Sequence, residues 1–403
     1  MANTLLTIAM IVRRALMVLE NNLTFTKMVN REYDSRFAIS GAKIGTVLDI
    51  RIPPRYTVTT TVALATQDAT ETKTTLTLNN QHHVDLSFTS QDLTLSIDDF
   101  SERFIGPAIA ALANKIDAVG LAEYWNVYNA IGTPGTTPAT LLAYLQAGAK
   151  LDYEATPRDG NRAVVIEPTA QVVIVDALKG LFQASAEIEQ QYKTGNMGLT
   201  AGLKFSMDQN VVSHTVGPLG GTPLCDGVGV EAATTLVTKG WTAAAASRLV
   251  RGDIFTIANV YAVNPQSRVS TGQLRQFVVT ANFSSGAGGG GTISIDPPLT
   301  STGARQTINS LPADNAALTV LGAAGTVSPQ NMAFHRDAFT LACVDLEMPQ
   351  GVDIAARVSS KKLGISMRLV RQYDINNDAF PCRLDILYGW KTIRPEMACR
   401  LVG

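Results

Sequence analysis

Leu387-Tyr-Gly-Trp-Lys-Thr-Ile-Arg-Pro-Glu396 is the stretch on which the reading of this chain turns. It closes a region of strand and loop text that begins near Asn331 and also holds Phe334-His-Arg-Asp-Ala-Phe-Thr-Leu-Ala342 and Asp345-Leu-Glu-Met-Pro349. Upstream, Gly217-Pro-Leu-Gly-Gly-Thr-Pro223 and Gly322-Ala-Ala-Gly325 are punctuation of the kind that separates domains. Between them Asp253-Ile-Phe-Thr-Ile-Ala-Asn-Val260, Gln276-Phe-Val-Val-Thr280 and Thr292-Ile-Ser-Ile295 read as short strands split by Gly, Asn and Pro turns. The first and last parts of the chain therefore read as one body interrupted by an all-β insert, a small barrel or sandwich.

Further toward the N-terminus the period changes. Ala163-Val-Val-Ile166 reads as a buried strand, with a helix before it over 139–151 and another after it from Pro168 to about Phe182. Ile105, Ile109, Leu112, Ile116 and Val119 recur on one helical face behind the capping-box pair Asp99 and Glu102. The pattern runs on to Ile131 and predicts a helix of about 30 residues. Before it, Tyr56, Val58, Thr60 and Val62, then Thr75-Leu-Thr-Leu-Asn-Asn80, then Val84, Leu86 and Phe88 alternate, and predict a long hairpin turning at Asn79-Asn80. So polar a ribbon has little core of its own and is expected to project. Leu5, Ile8, Val12, Leu16 and Leu19 predict an amphipathic N-terminal helix for which the sequence offers no partner within the chain.

Composition bounds the function. At 403 residues with 46% hydrophobic and 17% charged, the chain can bury a large core, which excludes bulk disorder. Low charge suggests an exterior that meets other protein. The net charge of -1 gives no global basic field for nucleic acid. Locally the signs separate: residues 1–56 carry eight basic against four acidic side chains, and residues 57–102 carry Lys73 against seven acids. Arg13, Arg14, Arg31 and Arg36 are thus candidates to meet Asp68, Glu71 and Asp85 of a neighbouring subunit. Arg13-Arg14 follow the first apolar run rather than precede it, unlike a secretory signal, and no membrane helix is expected, since the uncharged spans are broken by Gly, Pro and polar residues. The expectation is a chain made in the cytosol.

No catalytic constellation emerges, and the reading is of a protein that is not an enzyme and takes no cofactor. Cys225, Cys343, Cys382 and Cys399 show neither zinc nor redox spacing and read as buried thiols. His82 and His83 fall on opposite faces of a strand and chelate one ion poorly, so they read as solvated loop residues. His214 and His335 stand alone, Gly286–Gly291 lacks the helix and Lys-Ser/Thr of a phosphate loop, and Arg251-Gly-Asp253 reads as a turn entering a strand.

The closing motifs resemble those of tailed-phage major capsid proteins with the Hong Kong 97-type (Johnson) fold. The likeness is nearest to short-tailed phage coat proteins that carry a β-barrel insertion domain. Tyr388-Gly, with Arg394-Pro-Glu396, is its sharpest element; Arg251-Gly-Asp-Ile-Phe-Thr-Ile-Ala258 resembles the first strand of that insertion, and Leu112-Ala-Asn-Lys-Ile-Asp117 part of the spine helix. The resemblance implies an α+β fold in chain order: N-terminal arm (1–50), extended loop and peripheral strands (51–97), spine helix and peripheral domain (98–150), first axial part (151–223), inserted β-barrel (224–330) and closing axial and peripheral strands (331–403). It implies a shell subunit that self-assembles as pentamers and hexamers into an icosahedral head around double-stranded DNA, assembled in the host cytoplasm with a scaffolding protein and a portal. Some relatives cross-link through Lys and Asn; Lys73 is the one lysine of the hairpin, and the sequence shows no acid placed to activate it, so non-covalent holding is expected. Two other readings compete: a nanocompartment shell of the same fold, which the β insert disfavours, and a glycan-binding or adhesin module, which leaves the spine helix unexplained.

Overall fold

The computed structural model describes residues 16–31, 45–60, 62–64, 66–68, 71–89, 106–178, 197–360 and 364–403. They divide into two compact units, one of residues 1–52, 73–120 and 339–391, the other of 53–72, 121–338 and 392–403. Of the predicted arm, Arg13, Arg14 and Arg36 lie outside the described residues, as do the capping pair Asp99 and Glu102 and the end of the helix expected to reach Phe182.

The first unit is built on β1 (Val47–Ile52), β2 (Thr72–Thr77), β3 (Asn80–Thr89), α1 (Gly106–Leu121), β19 (Phe339–Val344), β20 (Ile354–Ser360), β21 (Ile365–Arg371) and β22 (Ala379–Thr392). The expected hairpin forms differently. β2 pairs with β1, whereas β3 pairs with β22 from Ala379↔Thr89 to Tyr388↔Asn80. Asn79-Asn80 therefore passes the chain between two pairings rather than folding one ribbon. Alternation specifies a strand but not its mate, and β3 finds its mate about three hundred positions away.

The N-terminal helix also has partners in its own chain, contrary to the expectation. Residues 16–22 are helical, and Leu16, Leu19 and Leu23 are buried. Behind them the 3-10 turn Phe25–Met28 is tied to α1 by one carboxylate. Asp117, 1% exposed, accepts the Thr24 N–H at 2.6 Å on Oδ2, and the Thr26 N–H at 3.0 Å and hydroxyl at 2.5 Å on Oδ1. Phe25 then stacks on Trp390 at 5.3 Å and meets the Phe339 ring edge-on at 5.5 Å. Gly120 makes room: a Cβ there would stand 2.6 Å from Trp390 and 2.9 Å from Phe25.

The predicted 30-residue helix is shorter than its pattern. Among the described residues the α-helix ends at Leu121, a 3-10 turn runs over Ala122–Asn126, and Val127 is extended. The chain then becomes strand β4 (Ala130–Ile131), parallel to β23 (Ala398–Leu401). Its backbone is claimed there: the Arg400 N–H donates to Asn129 O at 2.8 Å and the Val402 N–H to Ile131 O at 3.0 Å.

In the second unit α2 (Leu141–Tyr153) and α3 (Pro168–Leu178) pack with a six-stranded sheet of order β4-β23-β18-β5-β7-β6. Here β18 is Asn331–His335, β5 Arg162–Ile166, β7 Leu203–Met207 and β6 Leu199–Thr200. Tyr144, Ala147 and Leu151 of α2, Ala170 and Ile174 of α3, and Val164, Ile166 and Phe205 form its core. Two short strands, β8 (Ser213–Thr215) and β17 (Val327–Pro329), pair and carry the chain out and back.

Between them lies the all-β stretch foreseen from the turns. Its sheet runs in the order β16-β12-β13-β15-β10-β9, with β9 Leu224–Cys225, β10 Ala233–Lys239, β12 Ile254–Val263, β13 Ser270–Val279, β15 Gly291–Leu299 and β16 Leu318–Val320. The ends of this order meet: the Cys225 N–H donates to Ala316 O and the Leu318 N–H to Pro223 O, both at 2.9 Å. Trp241, Phe255, Phe277, Phe283, Leu236 and Ile295 fill its interior.

Asp117→Ala is expected to cost about 2–4 kcal/mol, because it strands two backbone N–H groups that lost their water on folding. Urea unfolding checks this, with the midpoint falling and the slope unchanged.

Candidate assembly surface

The segment between β1 and β2 carries the most exposed large apolar side chains of the described residues. Its base is fixed. Arg55 Nη2 lies 2.9 Å from Glu396 Oε1, and Arg268 Nη2 donates to Tyr56 O at 2.7 Å. Arg305 Nη2 donates to the Thr72 hydroxyl at 2.7 Å. Gln67 closes the loop: its Oε1 accepts the Thr57 N–H and hydroxyl, each at 2.8 Å, and its Nε2 donates to Thr57 O. Between Thr57 and Gln67, Val58, Val62 and Leu64 are 90%, 108% and 91% exposed. Single exposed apolar residues are ordinary; three on one short loop make it a candidate contact with other protein.

Of the charged residues proposed from the sequence, Arg31, Asp68, Glu71 and Asp85 are among the described residues. Asp68 and Glu71 are exposed beside it. Asp85 is on β3, exposed, with its carboxylate 2.8 Å from His83 Nδ1. Arg31 is half-buried. Lys73 Nζ has an acid close by after all, Asp49 Oδ2 at 2.7 Å on β1, which the sequence did not place. The histidines are strand residues rather than loop residues: His82 is half-buried with Nδ1 2.8 Å from the Tyr388 hydroxyl, and His83 faces the other way. Burial pushes the His82 pKa down, with the charges of Lys115 and His83 adding to the effect.

The motifs with catalytic or adhesive look-alikes turn out to be structural. Asp253 of the Arg-Gly-Asp tripeptide is buried, so it cannot be offered to a receptor. Its Oδ1 lies 2.8 Å from His214 Nε2, its Oδ2 accepts the Val250 N–H at 2.8 Å, and both oxygens take the Gly217 N–H. The other nitrogen of His214 stands 3.2 Å from the Tyr124 hydroxyl. Arg251 lies over the Trp125 ring at 4.3 Å. The glycine run 286–291 makes a turn between β14 (Phe283–Ser285) and β15, where a Cβ on Gly289 would stand 2.2 Å from Trp241 O. Burial raises the pKa of the Cys225 and Cys382 thiols to about 11 and of Cys343 and Cys399 to about 12, as expected of inert core residues. Among the described residues no three His, Cys, Asp or Glu gather to hold a metal, and no helix is long and apolar enough to cross a membrane.

Sequence reasoning missed the polar seam that binds the all-β stretch to the α2 sheet. Gln276 of β13 behaves like a strand, its side chain accepting the Ala130 N–H at 2.9 Å and donating to Ala130 O at 2.8 Å. Beside it Arg275, 2% exposed, places Nη1 2.6 Å from Glu154 Oε1 and lies 4.4 Å above the Tyr128 ring. Arg275 and Gln276 directly before the apolar run Phe277-Val-Val279 were the available signal. Glu154→Leu is expected to cost about 3–5 kcal/mol by leaving the Arg275 guanidinium buried without its counter-ion, and Glu154→Leu with Arg275→Met to recover most of that. Thermal melts of both variants check it.

A family model described as P22 coat protein, gene protein 5, matches residues 3–403. Similar solved structures include a chain of Mycobacterium phage Che8, at TM-score 0.46 and 13% identity over 94% of this chain and 90% of that one. The capsid of Ralstonia phage GP4 is similar at TM-score 0.48 and 7% identity over 94% and 87%. The CUS-3 coat protein I-domain matches at TM-score 0.19 and 24% identity, over 26% of this chain and 98% of that one. The comparison with curated protein sequences finds no match.

Proposed function

The chain belongs to the P22 coat protein family and is a phage capsid shell protein; on that footing we propose that it assembles as pentamers and hexamers into an icosahedral head that encloses double-stranded DNA, with the segment between β1 and β2 as a principal contact between copies. The observation that carries this is the tip of Val58, Val62 and Leu64, exposed at 90% or more on a loop that its own chain pins at the base. Burying each such side chain against a neighbour contributes about 1.5–3 kcal/mol, and the gain recurs at every contact of a closed shell.

The Hong Kong 97-type architecture and the segment order given above belong to the same proposal. An insertion barrel over about 224–330 is supported by the pairing of β8 with β17, which gives it one neck, and by the bonds that join β9 to the residues around β16. A low charge content and net charge of -1 favour close packing of many identical copies. DNA is taken up without sequence readout, and scaffolding and portal proteins complete the set of partners. The basic arm, with Arg13, Arg14, Arg31 and Arg36, faces acids of a neighbour's loop region such as Asp68, Glu71 and Asp85, and Lys73 forms no covalent bond between subunits.

Val62→Asp with Leu64→Asp is expected to leave a subunit with the parent's melting curve that forms no shells by negative-stain microscopy. Shells in normal yield would refute the loop's role. Reversing Asp68 and Glu71 to lysine is expected to raise the protein concentration needed for assembly several-fold at low salt. Each exposed pair contributes only about 0–1 kcal/mol and is screened over about 8–10 Å, so added salt should narrow the gap to the parent. Titration of assembly by light scattering reads both effects.

A further inference from the structure

We propose that the apolar tip of this loop is received by a cavity on a second copy of the chain, between α2 and the β6–β7 turn; the inference rests on reading the loop as a contact between copies. The cavity measures about 290 Å³, and Gly148, Leu203, Arg158, Arg162 and Asp152 are in its lining. An apolar cavity of about 150 Å³ takes a benzene ring, so this one has room for two branched aliphatic side chains. Two exposed leucines also line it, Leu145 at 47% and Leu199 at 70%.

Charge adds to shape. Two guanidiniums share one carboxylate there: Arg162 Nη2 lies 2.8 Å from Asp152 Oδ1, and Arg158 pairs with Asp152 Oδ2. The adjacent acid, Asp159, is turned to His335 Nε2 at 3.0 Å. Arg158 remains 74% exposed and can take a second carboxylate. The loop supplies the complement, two aliphatic side chains at Val62 and Leu64 followed by the exposed carboxylate of Asp68. Asp68 follows Leu64 by four positions, and it is the carboxylate this contact brings to Arg158.

The occupant is a second copy because this chain's own loop carries the aliphatic pair and the carboxylate that complement the leucines and Arg158 of the cavity. Loop and cavity are different patches, so the contact is heterologous, and successive copies related by a rotation that closes form a ring.

The test is a pair of cysteines, Leu64→Cys and Leu199→Cys, in one chain. Both positions are exposed, and the four native cysteines are buried and do not compete. Shells are first confirmed by microscopy, then oxidised and run without reductant under denaturing conditions. The expected result is a ladder of linked subunits ending at the ring size. It should be absent from either single variant and from a control pair of Leu64→Cys with Val237→Cys, which is exposed on β10. Shells without a ladder, or an equal ladder from the control pair, overturn the cavity assignment while the loop's role stands. Should the double variant stay unassembled, Leu199→Arg decides: a native melt with assembly blocked supports the proposal, and normal shells overturn it. Failure of the loop itself shows separately, as normal shells from the Val62→Asp, Leu64→Asp subunit.

Discussion

The ten-residue pairing of β3 with β22 is the constraint from which the exposed loop follows. It gives Asn80–Thr89 a mate other than β2, β2 pairs with β1, and no described residue between β1 and β2 belongs to a strand. Their alternating valines and threonines would suit a sheet, but no edge is given to them. The base is held by arginines from elsewhere, Arg268 and Arg305, and the tip is left with apolar side chains in water. What looks like poor design for a monomer is what a subunit needs if its last strand-like surface is completed by a neighbour.

The interior explains where the few charges go. Arg368 donates twice to Asp385, at 3.0 and 2.6 Å, and Asp385 is fully buried. Arg275 is buried with Glu154. Arg400 is buried, its Nε donating to Val127 O at 2.8 Å and Nη1 to Gln330, and burial brings its pKa down to about 10. Buried ions add little net stability, since desolvation offsets their attraction, but they penalise any arrangement that leaves one unpaired. They specify how β13 meets the α2 sheet and how β21 meets β22. Charge spent inside is not available outside, which leaves a surface poor in repulsion between copies.

Much of this was legible in the residues. The 3.6-residue period located α2 and the start of α3, the buried run at 163–166 gave β5, and the Gly/Pro links bounded the all-β stretch. The closing motif carried the family. Non-local pairing was not legible: nothing in Asn80–Thr89 names Ala379–Tyr388, so a hairpin with the nearer strand was the natural expectation. The helix continuing to Ile131 failed for a related reason, because its apolar period persists through Tyr124 and Tyr128 while the backbone of 129–131 is taken by β23. Of the candidate residues, charge sign picked out exposed acids at Asp68 and Glu71. The exposed tip of Val58, Val62 and Leu64 went unnoticed, since alternation makes such residues look half-buried.

Amide hydrogen exchange over residues 57–67, compared between free subunits and purified shells, tests the central claim most directly. If the loop is completed by a neighbouring copy, its amides gain at least tenfold protection on assembly, while β3 and β22, already paired within the chain, change little. Equal exchange of the loop in the two states would contradict the account.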